Sequence, residues 1–263
     1  MPEQVSFIKI KGTVDGLSFY TAGGRSIVRR AYGPSKERIA NDPKLIRLRE
    51  NNVEFGGASA MGKALRLGLM VTKLYASSDL PAKVTALMRS VLVLNKGIRG
   101  KRNIELSKHK TLLNHLDCNS QTPFTNVVLP SFECSGDRNT ASVQYTFRNM
   151  NPAADIRPPQ GATHFQIFQI ATTISDYHYN EPMESYRPIN SQLNEAREIT
   201  NSNAISLSDQ SVDVSLVTTI PGITNLPEHV SLVHALAIAF FREDNNVHYK
   251  LTSGCAMKVI GVY

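Results

Sequence analysis

Over residues 5 to 31 apolar and polar positions alternate or fall into short runs, a period-two pattern that predicts strands. Val5 and Phe7 mark one face of a first strand, Ile8 and Ile10 the other. Asp15-Gly16 supplies a turn, Leu17 and Phe19 lead to a second turn at Ala22-Gly23-Gly24, and Ser26 to Arg30 completes a small meander. Gly33-Pro34-Ser35 breaks the pattern. Asp42-Pro43 then opens a helix, with Asp as the capping residue and Pro at the first helical position.

From there the period becomes helical. Ile46, Val53, Gly57, Ala60, Ala64, Leu67, Val71 and Leu74 follow one another in steps of three, four or seven, which predicts an apolar seam interrupted only by Glu50. Lys44, Arg47, Lys63, Arg66 and Lys73 give the helix a basic back. Gly56-Gly57 weakens its middle by roughly 1 kcal/mol per glycine, so a kink or a break is expected there. After Ser78-Asp79-Leu80-Pro81, a second helix buries Val84, Leu87, Met88, Val91 and Leu92 and ends near Gly97, forming a helical hairpin with the first. A basic loop, 96 to 110, runs into a short helix around Leu112, Leu113 and Leu116.

Beyond Cys118 the alternation returns. Strands are expected at Val127 to Phe132, Ser142 to Phe147, His164 to Ile170, Val212 to Ile220, Leu232 to Phe241, Val247 to Leu251 and Ala256 to Tyr263. Turn signals such as Pro221-Gly222 and Asn245-Asn246 separate them, spacing that suits an antiparallel β-sandwich of about seven strands. In 232 to 241 both alternating sets, Leu232/His234/Leu236/Ile238/Phe240 and Val233/Ala235/Ala237/Ala239/Phe241, are largely apolar. That strand should be central and covered on both faces, with the helical pair as one cover. The Asn-, Ser- and Glu-rich stretch 181 to 210 reads as a long loop or lid. The fold class is therefore α+β, in two domains: 1 to 120, basic hairpins and helices, and 121 to 263, an acidic all-β domain.

Charge sharpens the partition. Residues 1 to 120 hold 21 Lys+Arg and 9 Asp+Glu, a balance of +12, whereas 121 to 263 hold 8 and 13, a balance of −5. Such asymmetry fits a polyanion partner, or a head-to-tail contact between copies of one chain. With 41% hydrophobic and 19% charged residues the composition is globular, which excludes global disorder. The apolar runs are too short to span a bilayer. Met1 to Val5 leads into no apolar signal segment, so synthesis in the cytoplasm without a secretory signal is expected. Cys118, Cys134 and Cys255 are odd in number and widely spaced, which favours free thiols in a reducing compartment.

Candidate chemistry is sparse. Gly97-Ile98-Arg99-Gly100-Lys101 lacks the glycine spacing of a phosphate loop and has Arg102 where a magnesium-binding hydroxyl would stand. The seven histidines, His115 among them, show no helical metal pair, and the cysteines have no close partner, so neither metal nor cofactor is expected. His234 reads as a hydrogen-bonded core histidine. A binding or acid/base pocket around His164, Asp176 and His178 is a weak option beside a simple sheet rim. With no nucleophile, base and orienter set, the chain is not expected to be an enzyme. Arg25, Arg29, Arg30, Lys36, Arg38, Lys44, Arg47 and Arg49, with Phe19, Tyr20 and Tyr32 among or near them, could instead neutralise phosphates.

Gly12-Thr13-Val14-Asp15-Gly16-Leu17-Ser18-Phe19-Tyr20, then Ile27-Val28-Arg29, then Arg-Ile-x-Asn-Asp-Pro at 38 to 43 and Arg-x-Asn-x-x-Glu-Phe-Gly at 49 to 56 form an ordered set. With Gly161-Ala162-Thr163-His164-Phe165 and Asp176-Tyr177, it resembles a Bacteroidota family of unknown function built from a β-hairpin, a helical middle and a β-sandwich-like end. The resemblance brings no catalytic residues. It implies a structural or assembly component, by analogy one of phage-like or other extracellular particles. The expected function is thus self-assembly into a homo-oligomer, tube or filament. Arg25, Arg29, Arg30, Lys36, Arg38, Arg47, Arg99, Lys101 and Arg102 would contact an acidic neighbour, while Val5, Phe7, Ile8 and Ile10 would add a strand to its sheet. Nucleic-acid binding by the basic half is the alternative.

Overall fold

The computed structural model describes residues 2–5, 8–30, 33–114, 116–129 and 131–263, and the fold is α+β. Phe7, Tyr32 and His115 lie outside the described residues. Two compact units divide the chain, Met1–Arg49 and Glu50–Tyr263.

In the first unit the expected meander forms from β1 (Gly12–Val14), β2 (Leu17–Ala22) and β3 (Arg25–Arg30), antiparallel in that order. Asp15 and Gly16 take φ of 46° and 71°, Gly23 and Gly24 57° and 76°. Two successive left-handed residues give a turn whose twist matches that of the strands, and Asp-Gly and Gly-Gly are the residues that adopt it cheaply. Of the strand expected at Val5 to Ile10, Phe7 lies outside the described residues, and Val5, Ile8, Lys9 and Ile10 stand in no strand. The side-chain oxygen of Gln4 accepts the Ile10 N–H at 2.9 Å and its amide nitrogen donates to the Ile10 carbonyl at 3.3 Å, and Val5, Ile8 and Ile10 are exposed. The bridge to β3 falls instead at Glu3, opposite Ile27. Next comes α1 (Lys36–Asn41), where the Ser35 hydroxyl accepts the Arg38 N–H at 3.1 Å. Asp42 caps a 3-10 turn, Pro43–Leu45, by accepting the Lys44 N–H at 2.9 Å, and α2 (Ile46–Gly68) continues from it.

The larger unit holds most of α2, then α3 (Leu80–Leu94), α4 (Phe124–Val127), β4 (Glu133–Asp137), β5 (Ser142–Met150) and α5 (Pro152–Asp155). Then follow β6 (His164–Ser175), β7 (Tyr177–Asn180), β8 (Ser185–Pro188), β9 (Arg197–Asn201), β10 (Ile205–Ser206), β11 (Val212–Thr219), β12 (Val230–Asp244), β13 (Val247–Lys250) and β14 (Ala256–Val262). A six-stranded sheet runs β10-β6-β12-β13, with β14 also on β12 and β9 on β6; β11-β5-β4 make a three-stranded sheet and β7-β8 a ribbon.

β12 is the central strand that its two apolar sets predict. Leu236, Ile238 and Phe240 pack with Tyr145, Phe147, Val214 and Leu216 of the three-stranded sheet, the expected sandwich. Val233, Ala235, Ala237 and Ala239 pack on the other face with Ala58, Met61, Leu65, Val84 and Met88 of the helices. Helices and central sheet share one core, so the chain divides at Arg49–Glu50 and not near residue 120.

Four local expectations are corrected. The buried line of α2 is Glu54, Gly57, Ala58, Met61, Gly62, Ala64, Leu65 and Gly68, while Ile46 and Leu67 of the expected seam are exposed. The shift arises because two buried glycines and a paired carboxylate do not register as apolar. α2 also runs unbroken through Gly56-Gly57. Among the described residues of Val127 to Phe132 none stands in a strand, since α4 ends at Val127 and the adjacent strand is β4, and the supposed loop 181 to 210 carries β8, β9 and β10.

Candidate functional site

Chemistry-bearing side chains gather in four places, beginning with the basic loop after α3. Arg102 donates from Nε and Nη2 to the two carboxylate oxygens of Glu54, at 2.8 and 2.7 Å, and the Gly100 N–H donates to the same carboxylate at 2.8 Å. Burial pushes the Glu54 carboxyl up, but the Arg102 hydrogen bonds, the Gly100 N–H and the guanidinium charge outweigh it and hold the group below the usual carboxylate range. Lys101 Nζ lies 2.7 Å from Glu181, and Arg99 pairs with Glu50 at 3.5 Å and donates to Asn51 at 3.0 Å. Arg99, Lys101 and Arg102, three of the nine cations expected to meet a neighbour, are thus all paired with acids of their own unit. Charge counting could not see this, because partners 48 to 80 residues away in sequence come together only through the fold.

The remaining six, Arg25, Arg29, Arg30, Lys36, Arg38 and Arg47, stand exposed in the N-terminal unit. Arg38 pairs with Asp42 at 3.2 Å, and Arg29 stacks 5.3 Å from the Tyr20 ring centre. Register sorts the sheet's two faces, since directly opposed residues share a side. Phe19 opposes Val28, Val14 opposes Leu17, and Leu17 opposes Arg30, giving one face of Val14, Leu17, Phe19 and Val28 with Arg30 at its rim. The other face carries Tyr20, Arg25, Ile27 and Arg29.

Asp176 sits at a cleft of about 410 Å³ lined by Ser107, Lys108, Lys110, Arg138 and His229. Its carboxylate accepts the Ser107 N–H at 3.0 Å and the Ser107 hydroxyl at 2.5 Å. Burial raises its pKa, with the two Ser107 bonds opposing. Arg138 gives its guanidinium to four backbone carbonyls, of Leu226, Pro227, Val230 and Tyr263, and so clamps the chain's end rather than facing a ligand. His164 opens β6 and Asp176 follows its last residue, so eleven residues of strand separate two members of the expected pocket. His178 lies in β7, its Nδ1 buried without a partner.

The fourth place combines His164 with Glu243 and His248. The Glu243–His248 half was legible, because Asn245-Asn246 is a two-residue turn signal that sets those residues opposite one another; His164 comes from a strand about eighty residues earlier.

No family model, no curated protein and no solved structure matches the chain. Among the described residues, no helix is long and apolar enough to cross a membrane.

Proposed function

We propose that the chain is a non-enzymatic structural protein that assembles with copies of itself, its N-terminal unit docking on the acidic β-sheet face of a neighbour. One observation carries this: none of the described residues from 2 to 49 is buried, although their sheet presents Val14, Leu17, Phe19 and Val28 together. A unit this small without a core gains little stability alone and much from a surface that covers its apolar face. Arg30, at the rim of that face, names the sign of that surface. In the larger unit the solvent side of the three-stranded sheet offers Glu133, Asp137 and Asp213, against the single cation Arg148, among serines and threonines, all three carboxylates exposed. The 99 to 102 cations drop out of the contact because their own unit neutralises them. The family resemblance supports the same direction, a component of a larger particle.

Size-exclusion chromatography with light scattering tests the reading on the full chain. Oligomers that dissociate as salt is raised, and that are lost in a Leu17→Asp/Phe19→Asp variant, are expected. A monomer at every salt and protein concentration overturns it.

A second reading rests on Arg25, Arg29 and Tyr20 sharing the opposite face, a cationic and aromatic surface suited to nucleic acid. It requires retardation of labelled single-stranded RNA or DNA at low salt, with affinity falling steeply as salt rises. Unretarded probe at low salt removes it.

A further inference from the structure

We propose that His164, Glu243 and His248 form a binding site for a divalent transition-metal ion of the zinc class. Three strands assemble it. His164, at the start of β6, is the register partner of Phe241 on β12, and Glu243, two residues on and therefore on the same face, is the partner of His248 on β13. Asn245 and Asn246, with φ of 51° and 65°, make the tight turn that fixes the second pairing.

The donor atoms are already gathered. One ligand atom from each residue lies within 4.8 Å of the other two; His164 Nδ1 is 3.6 Å from a Glu243 carboxylate oxygen, and the two imidazole centres are 4.6 Å apart. Tetrahedral zinc with bonds of ~2.1 Å wants its donors about 3.4 Å apart. Rotation of the exposed Glu243 and His248 side chains closes the difference, because neither is packed in the core.

The backbone under the site is held in place. Thr163 N–H donates to the Phe241 carbonyl at 2.9 Å, and the Thr163 hydroxyl accepts the Glu243 N–H at 2.8 Å while standing 3.0 Å from His164 Nδ1. Phe241 also meets the His248 ring edge-on. The frame is therefore positioned by main-chain bonds, with the carboxylate and outer imidazole free to adjust.

Donor type selects the ion. Two imidazoles and one carboxylate suit zinc and its borderline neighbours, whereas magnesium and calcium ask for six or more oxygens. Three protein ligands leave the fourth position for water or for a donor from another molecule. Bound there, the ion would tie the start of β6 to the β12–β13 hairpin.

The test uses the full chain, stripped with a chelator and dialysed, then titrated with zinc by calorimetry and with cobalt by visible absorption. One zinc per chain, and the intense visible bands of tetrahedral cobalt displaced by zinc but not by calcium, are expected. His248→Ala and His164→Ala should each weaken zinc binding at least about tenfold, Glu243→Gln should weaken it too, and His109→Ala should leave it unchanged. His248 is exposed, so its variant folds whatever its effect on the metal. Absence of saturable zinc binding overturns the proposal, as does binding that survives in the His164→Ala/His248→Ala double variant.

Discussion

Arg102 grips both oxygens of Glu54, one from Nε and one from Nη2, and so fastens the loop after α3 to the buried line of α2. The Glu54 side chain is 5% exposed and that of Arg102 18%, so neither charge could rest there alone. Breaking a pair of this kind leaves the survivor desolvated without compensation, which outweighs the modest net value of the pair itself. Arg102→Ala should therefore lower unfolding stability by about 2–3 kcal/mol. Urea denaturation measures it, and a double-mutant cycle with Glu54→Ala should show strong coupling. Lys101→Ala, which releases a solvent-exposed partner, should leave stability nearly unchanged. Equal losses at the two positions would show that the loop is not anchored through Glu54.

Gly56 and Gly57 are neighbours in α2 with opposite expectations. A Cβ on Gly57 would stand 2.4 Å from the Tyr186 ring, whose hydroxyl donates to the Arg102 carbonyl at 2.9 Å, so the ring cannot swing away without breaking that bond. A Cβ on Gly56 would meet nothing within 4 Å. Gly56→Ala should stabilise the protein by about 0.5–1 kcal/mol through helix propensity. Gly57→Ala should destabilise by about 1–3 kcal/mol through overpacking. Thermal melts of the pair separate the two effects, and stabilisation by both would mean that Tyr186 does not lie against α2.

The same glycines show where the sequence was readable and where it was not. β12 declared itself because both its faces are apolar over ten residues, a pattern only a doubly covered strand satisfies. The hairpin turns declared themselves through residues that tolerate positive φ. The seam of α2 was misplaced because Gly62 and Gly68 are buried for their lack of a side chain: Gly68 faces Thr172 and Gly62 faces Val84, contacts that no local pattern encodes. Glu54 was invisible for the complementary reason, since its burial depends on Arg102. The candidate surfaces divide likewise. The exposed arginines of β3 and the Glu243–His248 pair follow from local register, while the neutralised loop and the place of His164 beside that pair exist only in three dimensions.

The thiols should differ sharply in reactivity. Cys118, Cys134 and Cys255 are all free, but Cys118 and Cys255 are buried and only Cys134, on β4, is exposed. Burial pushes the Cys118 thiol up to about 12 and raises Cys255 as well, so neither supplies thiolate near neutrality. A chromogenic disulfide reagent should titrate one thiol per native chain, lost in Cys134→Ser, and three after denaturation. Two rapidly reacting thiols in the native protein would contradict this packing.

His234 lies between the two packed sheets, fully buried. The orientation of Gln169 that satisfies every partner puts its oxygen toward His234 Nε2, at 2.9 Å, and the Tyr145 N–H, while its nitrogen donates to Leu216 O and Thr218 Oγ1. The imidazole is thereby held as the neutral Nε2–H tautomer, and burial lowers its pKa to about 3 from the ordinary 6.5. Well above pH 6.5 the ring is neutral whether the chain is folded or not, and it contributes no pH dependence. As pH falls below 6.5 the unfolded chain takes up a proton that the folded chain refuses, so stability falls, with a limiting slope of about 1.4 kcal/mol per pH unit, until the folded value is reached. Urea midpoints should therefore drop between pH 7 and about 5, above the range where most carboxylates titrate. His234→Gln keeps a polar group toward Gln169 but cannot be protonated, and its stability should be flatter over that window. A wild-type profile as flat as that of the variant would mean that the folded protein admits the proton, and that the two sheets do not close over this residue.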